Sequence, residues 1–445
     1  MSIFLFILFL SVFSFAVSRM PLFSKSNLRK SALLSVFYLK VLAGISITII
    51  YTYYYKDRNT SDIYKYFDDA KIIYSSFQEN PKIYVELVLG LNSDSPEHIK
   101  YTSKMRNWSP LDAQWLNYTQ TKDTNFFNSN RIITRINAIL IPISNGNIFI
   151  HALFFSFLSF IGLFYLYKQV TEYHKKNDLI VFGIIFLLPS TLLWCSGPLK
   201  DALVLSVLNI LIYILFHLTH KKLSITNASL FILLIFLIII TKYYVAIALI
   251  PVLLGFSVKR LLHYSPVKSY TIVLGALLLI SFILPIISSS FNVWQILIDK
   301  REESLKTAIW AEANHQIFYN TVSNTFGEII FNIPFSISNA VLRPFIWEAG
   351  NSPFILLSGV ENFLSALFLI ICFIKMKSKN LKKELLLFYL FFALSSAFII
   401  GFTTPVTGGL VRYKTIFILY LLLFALQGAS LQISFPTRIN NLIFK

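Results

Sequence analysis

The chain has 445 residues, 56% of them hydrophobic and only 13% charged, with a formal net charge of +18. A charged fraction about half the soluble norm of ~25% excludes an ordinary soluble globular domain, and the mean hydropathy of +0.66 agrees. Repeated apolar runs near the ~20 residues that cross a bilayer define an all-α polytopic membrane protein, read as one integral membrane domain over 1–445.

In chain order the expected spans are 3–17, 32–54, 148–167, 179–193, 202–218, 228–240, 245–258, 270–287, 354–374, 385–402 and 415–426, eleven in all. The first lacks a basic n-region and a small-residue cleavage site, so it reads as a span and not as a signal peptide. Between the fourth and fifth lies Trp194-Cys195-Ser196-Gly197-Pro198-Leu199-Lys200-Asp201, where Gly and Pro break the helix and two charges follow at once. Such a break is tolerated in a membrane only where protein or water satisfies the freed backbone groups. The plainer reading is a tight turn with Asp201 capping the next helix. The short runs around Lys242 read as spans or as a hairpin that tilts or re-enters. Cys195 and Cys372 form no metal spacing and imply no disulfide framework.

Basic residues mark every second loop. They are Arg19, Lys25, Arg29 and Lys30, then Lys168, Lys175 and Lys176, then Lys221 and Lys222. Lys259, Arg260 and Lys268 follow, then Lys375, Lys377, Lys379, Lys382 and Lys383, and finally Arg438 and Lys445 in the tail. The positive-inside rule makes these segments cytoplasmic, with the N-terminus outside and the C-terminus inside. They hold 19 Lys and Arg against three acids, Glu172, Asp178 and Glu384, a balance of +16; the outer segments balance to +1, and Lys40 within the second span completes the +18. The basic excess therefore expresses topology and contact with anionic membrane lipids. No aromatic–basic interleaving of an RNA module occurs, and nucleic acid is not an expected partner.

Two long outer loops, 56–147 and 288–353, are expected to carry amphipathic helices and the function. In the first, Ile63, Tyr66, Phe67, Ala70, Ile73, Tyr74 and Phe77 recur at helical spacing, which suits a helix lying on the membrane surface. Asp68 and Asp69 sit on it, about 100° apart. Outer turns also place cations at helix ends: Lys200, Lys242, Arg343, Arg412 and Lys414. Single cases are explained by snorkelling or by pairing with nearby Asp201 and Glu348. Taken together they read as a shared site for an anionic substrate, Arg forking onto phosphate and Lys acting as a point charge.

At several of these residues the chain resembles the multi-span proteins of bacterial, especially Bacteroidetes-type, polysaccharide loci. The matching stretches are Pro189-Ser190 to Asp201, Arg343-Pro344-Phe345-Ile346-Trp347-Glu348 with Glu361-Asn362, and Gly409-Leu410-Val411-Arg412-Tyr413. More distantly it is similar to the GT-C glycosyltransferases and to the polymerases and ligases of O-antigen synthesis. The resemblance implies a bacterial inner-membrane enzyme that uses a polyprenyl-phosphate or polyprenyl-pyrophosphate glycan. GT-C enzymes carry acidic residues in the first large outer loop, the position of Asp68 and Asp69, although this chain has an additional span before that loop.

The chemistry follows without the family. Glycosyl transfer from a lipid phosphate needs an aligned acceptor hydroxyl and a base for its proton. Asp68 or Asp69 is the candidate base; either could equally orient the acceptor or hold a divalent ion, and no cofactor is otherwise indicated. The leaving phosphate gains charge, so preplaced cations lower the barrier. Lys200, Lys242, Arg343, Arg412 and Lys414 are the candidate phosphate ligands, with Asp201, Trp347, Glu348 and Tyr413 in support. His98 and His315 read as surface residues. No zinc-protease, serine-hydrolase, P-loop or dinucleotide motif is present. Three functions stay open: a GT-C-type transferase, an arginine-led oligosaccharide polymerase or ligase, and a transporter or flippase of lipid-linked glycans. Charges gathered at one face with long outer loops favour an enzyme over a carrier, whose ionisable groups lie near the midplane.

Overall fold

The computed structural model describes residues 2–53, 58, 61–92, 95–108, 129–173, 178–218, 224–288, 292–310, 313, 315–317, 326–381, 383–429, 431 and 436–445. Lys175, Lys176, Lys221, Lys222 and Lys382 lie outside them. The main helices in the first half are α1 (Ser2–Arg19), α2 (Lys30–Tyr53), α3 (Asp62–Glu79), α4 (Pro81–Leu89), α5 (Pro96–Thr102) and α6 (Ser129–Ser144). Then come α7 (Ile148–Tyr173), α8 (Asp178–Leu187), α9 (Pro189–Trp194), α10 (Lys200–Leu218) and α11 (Ile225–Thr241). The second half holds α12 (Tyr243–Leu262), α13 (Pro266–Ile287), α14 (Val293–Trp310), α15 (Phe326–Leu342), α16 (Pro353–Ile374), α17 (Glu384–Thr403), α18 (Thr407–Tyr413) and α19 (Ile418–Gly428).

Among the described residues eight helices, α1, α2, α7, α10, α12, α13, α16 and α17, are long and apolar enough to cross a membrane. A ninth span results if the pair Thr407–Ile416 and Ile418–Gly428, bent by 55°, is counted as one. The protein is thus a helical multi-pass membrane protein with eight or nine candidate spans, not eleven. The run 179–193 divides at Leu188-Pro189, because proline at N1 starts α9 anew and cannot continue α8. The run 228–240 lies in a helix of only 17 residues that stops at Lys242. The run 415–426 begins in the 3₁₀ turn Lys414–Ile416 that makes the bend.

The chain forms two compact units. One comprises Met1–Glu172, Phe186–Tyr243 and Phe435–Lys445; the other comprises Tyr173–Ile185 and Tyr244–Ser434.

In the first unit α3 packs along α6, with α4 and α5 beside them. Asn80 caps α4 by accepting the Lys82 N–H at 3.0 Å, Pro81 opens it, and Gly90 ends it with φ +79°. The apolar stripe of α3 faces protein instead of the bilayer. Ile63, Phe67, Ala70 and Ile73 join Ile47 and Tyr51 of α2, Ala138 and Ile141 of α6, Ile148 of α7 and Leu199 in one buried cluster. Each large side chain fully buried there contributes about 1.5–3 kcal/mol. Of the expected membrane-surface face, Tyr66 and Phe67 are buried and only Phe77 is exposed. The helices α3 to α6 therefore cap one end of α2, α7 and α10. At the opposite end the chain termini of the spans meet the tail. The Arg29 guanidinium donates to the Phe444 carbonyl at 2.7 Å, Lys445 donates to Ser24 and Ser26, and the Tyr167 hydroxyl donates to Asn27 at 2.8 Å.

In the second unit α17 packs between α15 and α19, and every residue of α19 is buried. Gly401 lets α17 approach α15 closely; a methyl group there would collide with the Ser336 carbonyl. One end gathers Lys259 and Arg260, which meet Glu384 at 2.9 and 3.3 Å, and Lys377 and Asn380, which bond the Gly428 carbonyl.

Candidate functional site

The two aspartates of α3 have different environments. Asp68 is half-exposed and takes a bidentate pair from Arg58, both bonds 2.7 Å, while that guanidinium also lies 3.7 Å over the Tyr64 ring. Asp69 is only 2% exposed. It accepts the backbone N–H groups of Arg106 and Asn107, each at 2.9 Å, and the Asn107 amide at 2.7 Å. Burial pushes its carboxyl above the usual range, with the three donors acting against that. Asp69 thus ties the 105–108 turn to α3. The Arg131 guanidinium extends the tie by donating to the Asn107 carbonyl at 2.9 Å.

The break after α9 is resolved by buried donors. The Lys40 ammonium, fully buried within α2, donates to the Cys195 carbonyl and to the Ser196 hydroxyl, each at 3.0 Å. The Ser156 hydroxyl donates to the Ser196 carbonyl at 2.6 Å. Gly44 makes this possible, since a methyl group there would sit 2.6 Å from the Ser196 oxygen. Protein donors thus satisfy the freed carbonyls of Cys195 and Ser196.

Asp201 pairs not with its neighbour Lys200 but with Lys242, at 2.5 Å, and both side chains are buried. The pair joins the N-terminus of α10 to the C-terminus of α11, placing each charge where the helix dipole favours it. Lys200 instead donates to the Ser129 hydroxyl at 2.9 Å and lies 5.8 Å from the Tyr66 ring. Of the expected cation set, Lys200 and Lys242 belong to the first unit, and Arg343, Arg412 and Lys414 to the second.

In the second unit three stretches far apart in sequence come together. Lys414, 1% exposed, donates to the Arg343 carbonyl at 2.8 Å and to the Asn362 side chain at 2.6 Å. The Asn362 amide donates to the Pro344 carbonyl at 2.9 Å. Glu348 accepts the Phe345 N–H at 2.8 Å and lies 3.4 Å from the Arg343 guanidinium. Tyr413 lies 6.0 Å from the Tyr244 ring, and the Arg412 carbonyl accepts from Thr415. Beside them the Thr407 N–H and hydroxyl both donate to the His315 carbonyl at 3.0 Å.

His98 is buried, not superficial, and its Nε2 lies 3.1 Å from Glu86. Among the described residues no group of three His, Cys, Asp or Glu side chains could hold a metal ion. Two functional signals lie outside the expected site. Lys40 stands within the run 32–54, and an intramembrane ionisable residue is a signal in itself. Arg131 and Arg135 follow at i and i+4, both buried, 4.9 and 5.9 Å from the Trp108 ring, and burial beside Arg131 brings Arg135 down to about 10.

Compared with protein-family models, with curated proteins and with solved structures, the chain has no match in any of the three. What its helices establish is a helical multi-span membrane protein.

Proposed function

We propose that the chain is a membrane glycosyltransferase of GT-C type, taking sugar from a polyprenyl-phosphate-linked donor at the outer face of a bacterial inner membrane, in cell-surface glycan assembly. The observation that carries this reading is the α3–α6 cap, built on the span ends away from the basic tail and presenting the half-exposed Asp68. With Asp69 committed to the 105–108 turn, Asp68 is the base. It takes the proton of the acceptor hydroxyl as that oxygen bonds the anomeric carbon. The bond between the anomeric carbon and the phosphate oxygen breaks, and the lipid phosphate leaves with the electron pair. Arg58 orients the carboxylate, and Lys200 offers a point charge from the same unit.

Glycan transfer from a lipid-linked donor in membranes, at controlled protein level, tests this reading. Asp68→Asn is expected to lower turnover by ~10²–10⁴, the usual loss for a general base. Asp69→Asn is expected to lower the amount of folded protein instead. Full transfer by Asp68→Asn with abolition by Arg412→Ala would replace this reading with the arginine-led polymerase or ligase. Retention of transport-dependent glycan display without any transferase activity would favour the flippase.

The proposed orientation has its own test. A cysteine at 68 is expected to react with a membrane-impermeant reagent on intact cells, and one at 377 only after permeabilisation. The reverse pattern would invert the map.

A further inference from the structure

The segment Arg343–Glu348 does not lead up to α16 but folds back along it. A methyl group on Gly359 would meet the Ile346 backbone at 3.0 Å, and the Asn362 amide bonds the Pro344 carbonyl. Gly359 and Asn362 lie six and nine residues past Pro353, about 9 and 14 Å along a helix that rises 1.5 Å per residue. The 22 residues of α16 amount to about 33 Å, little more than the ~30 Å hydrocarbon core. Nearly all of that length is needed to cross, so a turn seated against Gly359 lies within the thickness of the membrane.

Its backbone is equipped for that depth. Lys414 serves the Arg343 carbonyl, Asn362 serves the Pro344 carbonyl, and Glu348 serves the Phe345 N–H. Irregular backbone at membrane depth requires such partners. The side chains have the opposite character. The Phe345 and Trp347 rings stack at 4.8 Å and 9°, and Trp347 is 79% exposed. Ile346 is exposed beside them, and Leu356, Leu357, Val360 and Phe363 continue an exposed apolar surface down α16. A rigidly held, outward tryptophan continuous with the apolar face of a span has the character of an interfacial anchor.

We propose that Phe345-Ile346-Trp347 is a lipid-contacting wedge, seated in the carbonyl and upper acyl-chain region of bilayer phospholipids. This assignment does not depend on the glycosyltransferase reading. The test uses the full chain in phosphatidylcholine vesicles, with the emission of Trp347→Phe subtracted from that of the unaltered protein to isolate Trp347. The difference emission is expected to be blue-shifted, mostly lost when the upper acyl carbons carry bromine, and unmoved by aqueous iodide. Loss to iodide without loss to bromine overturns the proposal and leaves Trp347 facing water, where it could stack on an oligosaccharide. Trp347→Tyr gives the same subtraction and decides the matter should the Phe variant fold poorly.

Discussion

Two interruptions of helix, one in each unit, are held by the same device. At Cys195–Leu199 a buried lysine from the unbroken α2 donates to one carbonyl and one side-chain oxygen. At Arg343–Glu348 a buried lysine from the bend before α19 does the same, to the Arg343 carbonyl and the Asn362 oxygen. An ammonium suits this task because it carries three donors and no acceptor. The two regions differ in what surrounds the lysine. The first break is enclosed, with Cys195, Ser196 and Leu199 all buried, and a buried ion pair fixes the helix end that follows. The second opens outward through Trp347, and its ion pair is a quarter exposed. Enclosure makes the first region a structural joint, whereas the second is a platform.

The sharpest way to break that contrast is at the enclosed ion pair. Removing one member of a buried pair costs about 3–5 kcal/mol, because the other charge stays buried without compensation. Lys242→Met is therefore expected to cause the largest fall in thermal stability in detergent, larger than loss of either buried lysine at the two breaks. The double variant Asp201→Leu with Lys242→Met should recover most of it, since a packed apolar pair of similar volume is often no worse. A double variant as unstable as the single one would mean that the charges do more than join α10 to α11.

Next in size are the lysines. Lys40→Met and Lys414→Met each delete two hydrogen bonds from a charged donor. Removing the ammonium also removes the cost of burying it, and strands no carboxylate in the way that Lys242→Met strands Asp201, so each net loss is smaller. Both variants should lower the unfolding temperature, Lys40→Met by at least as much as Lys414→Met because its break is wholly enclosed. A negligible effect at Lys40 would show that Ser156 alone sustains the break.

This pair of lysines also marks how far the sequence could be read. The spans were legible because periodicity and length are local properties. The division at Pro189 and the bend at Lys414–Ile416 were not, since apolar composition continues through both. Nearness of Arg343 to the turn before α19 is an expectation of the shared cation site, whereas Glu361-Asn362 enters the sequence reading only through the resemblance. Their contact depends on Gly359 admitting a backbone strand, which no local pattern announces. The partner of Asp201 was missed for the same reason. Lys200 is adjacent in sequence, but successive residues on a helix point about 100° apart, and α11 brings Lys242 to the carboxylate from 41 residues away. For Asp68 and Asp69 the angular separation was legible, while the donors that capture Asp69 come from Arg106 and Asn107, beyond any helical period.

The smallest expected effect sharpens the account of the second region. Arg343 and Glu348 lie 3.4 Å apart with side chains 26% and 23% exposed. Pairs of this kind contribute about 0–1 kcal/mol, since solvent screens the attraction and ordering two long side chains costs entropy. Glu348→Gln removes the charge but keeps a carbonyl oxygen able to accept the Phe345 N–H, which Glu348 now does at 2.8 Å. Thermal unfolding of this variant should be nearly unchanged. Asn362→Ala, in contrast, deletes both the donor to Pro344 and an acceptor of Lys414 in a buried place, and it should cost clearly more. If Glu348→Gln proved the more damaging of the two, the turn would be held by its own ion pair, and the parallel with the enclosed break at Lys40 would be lost.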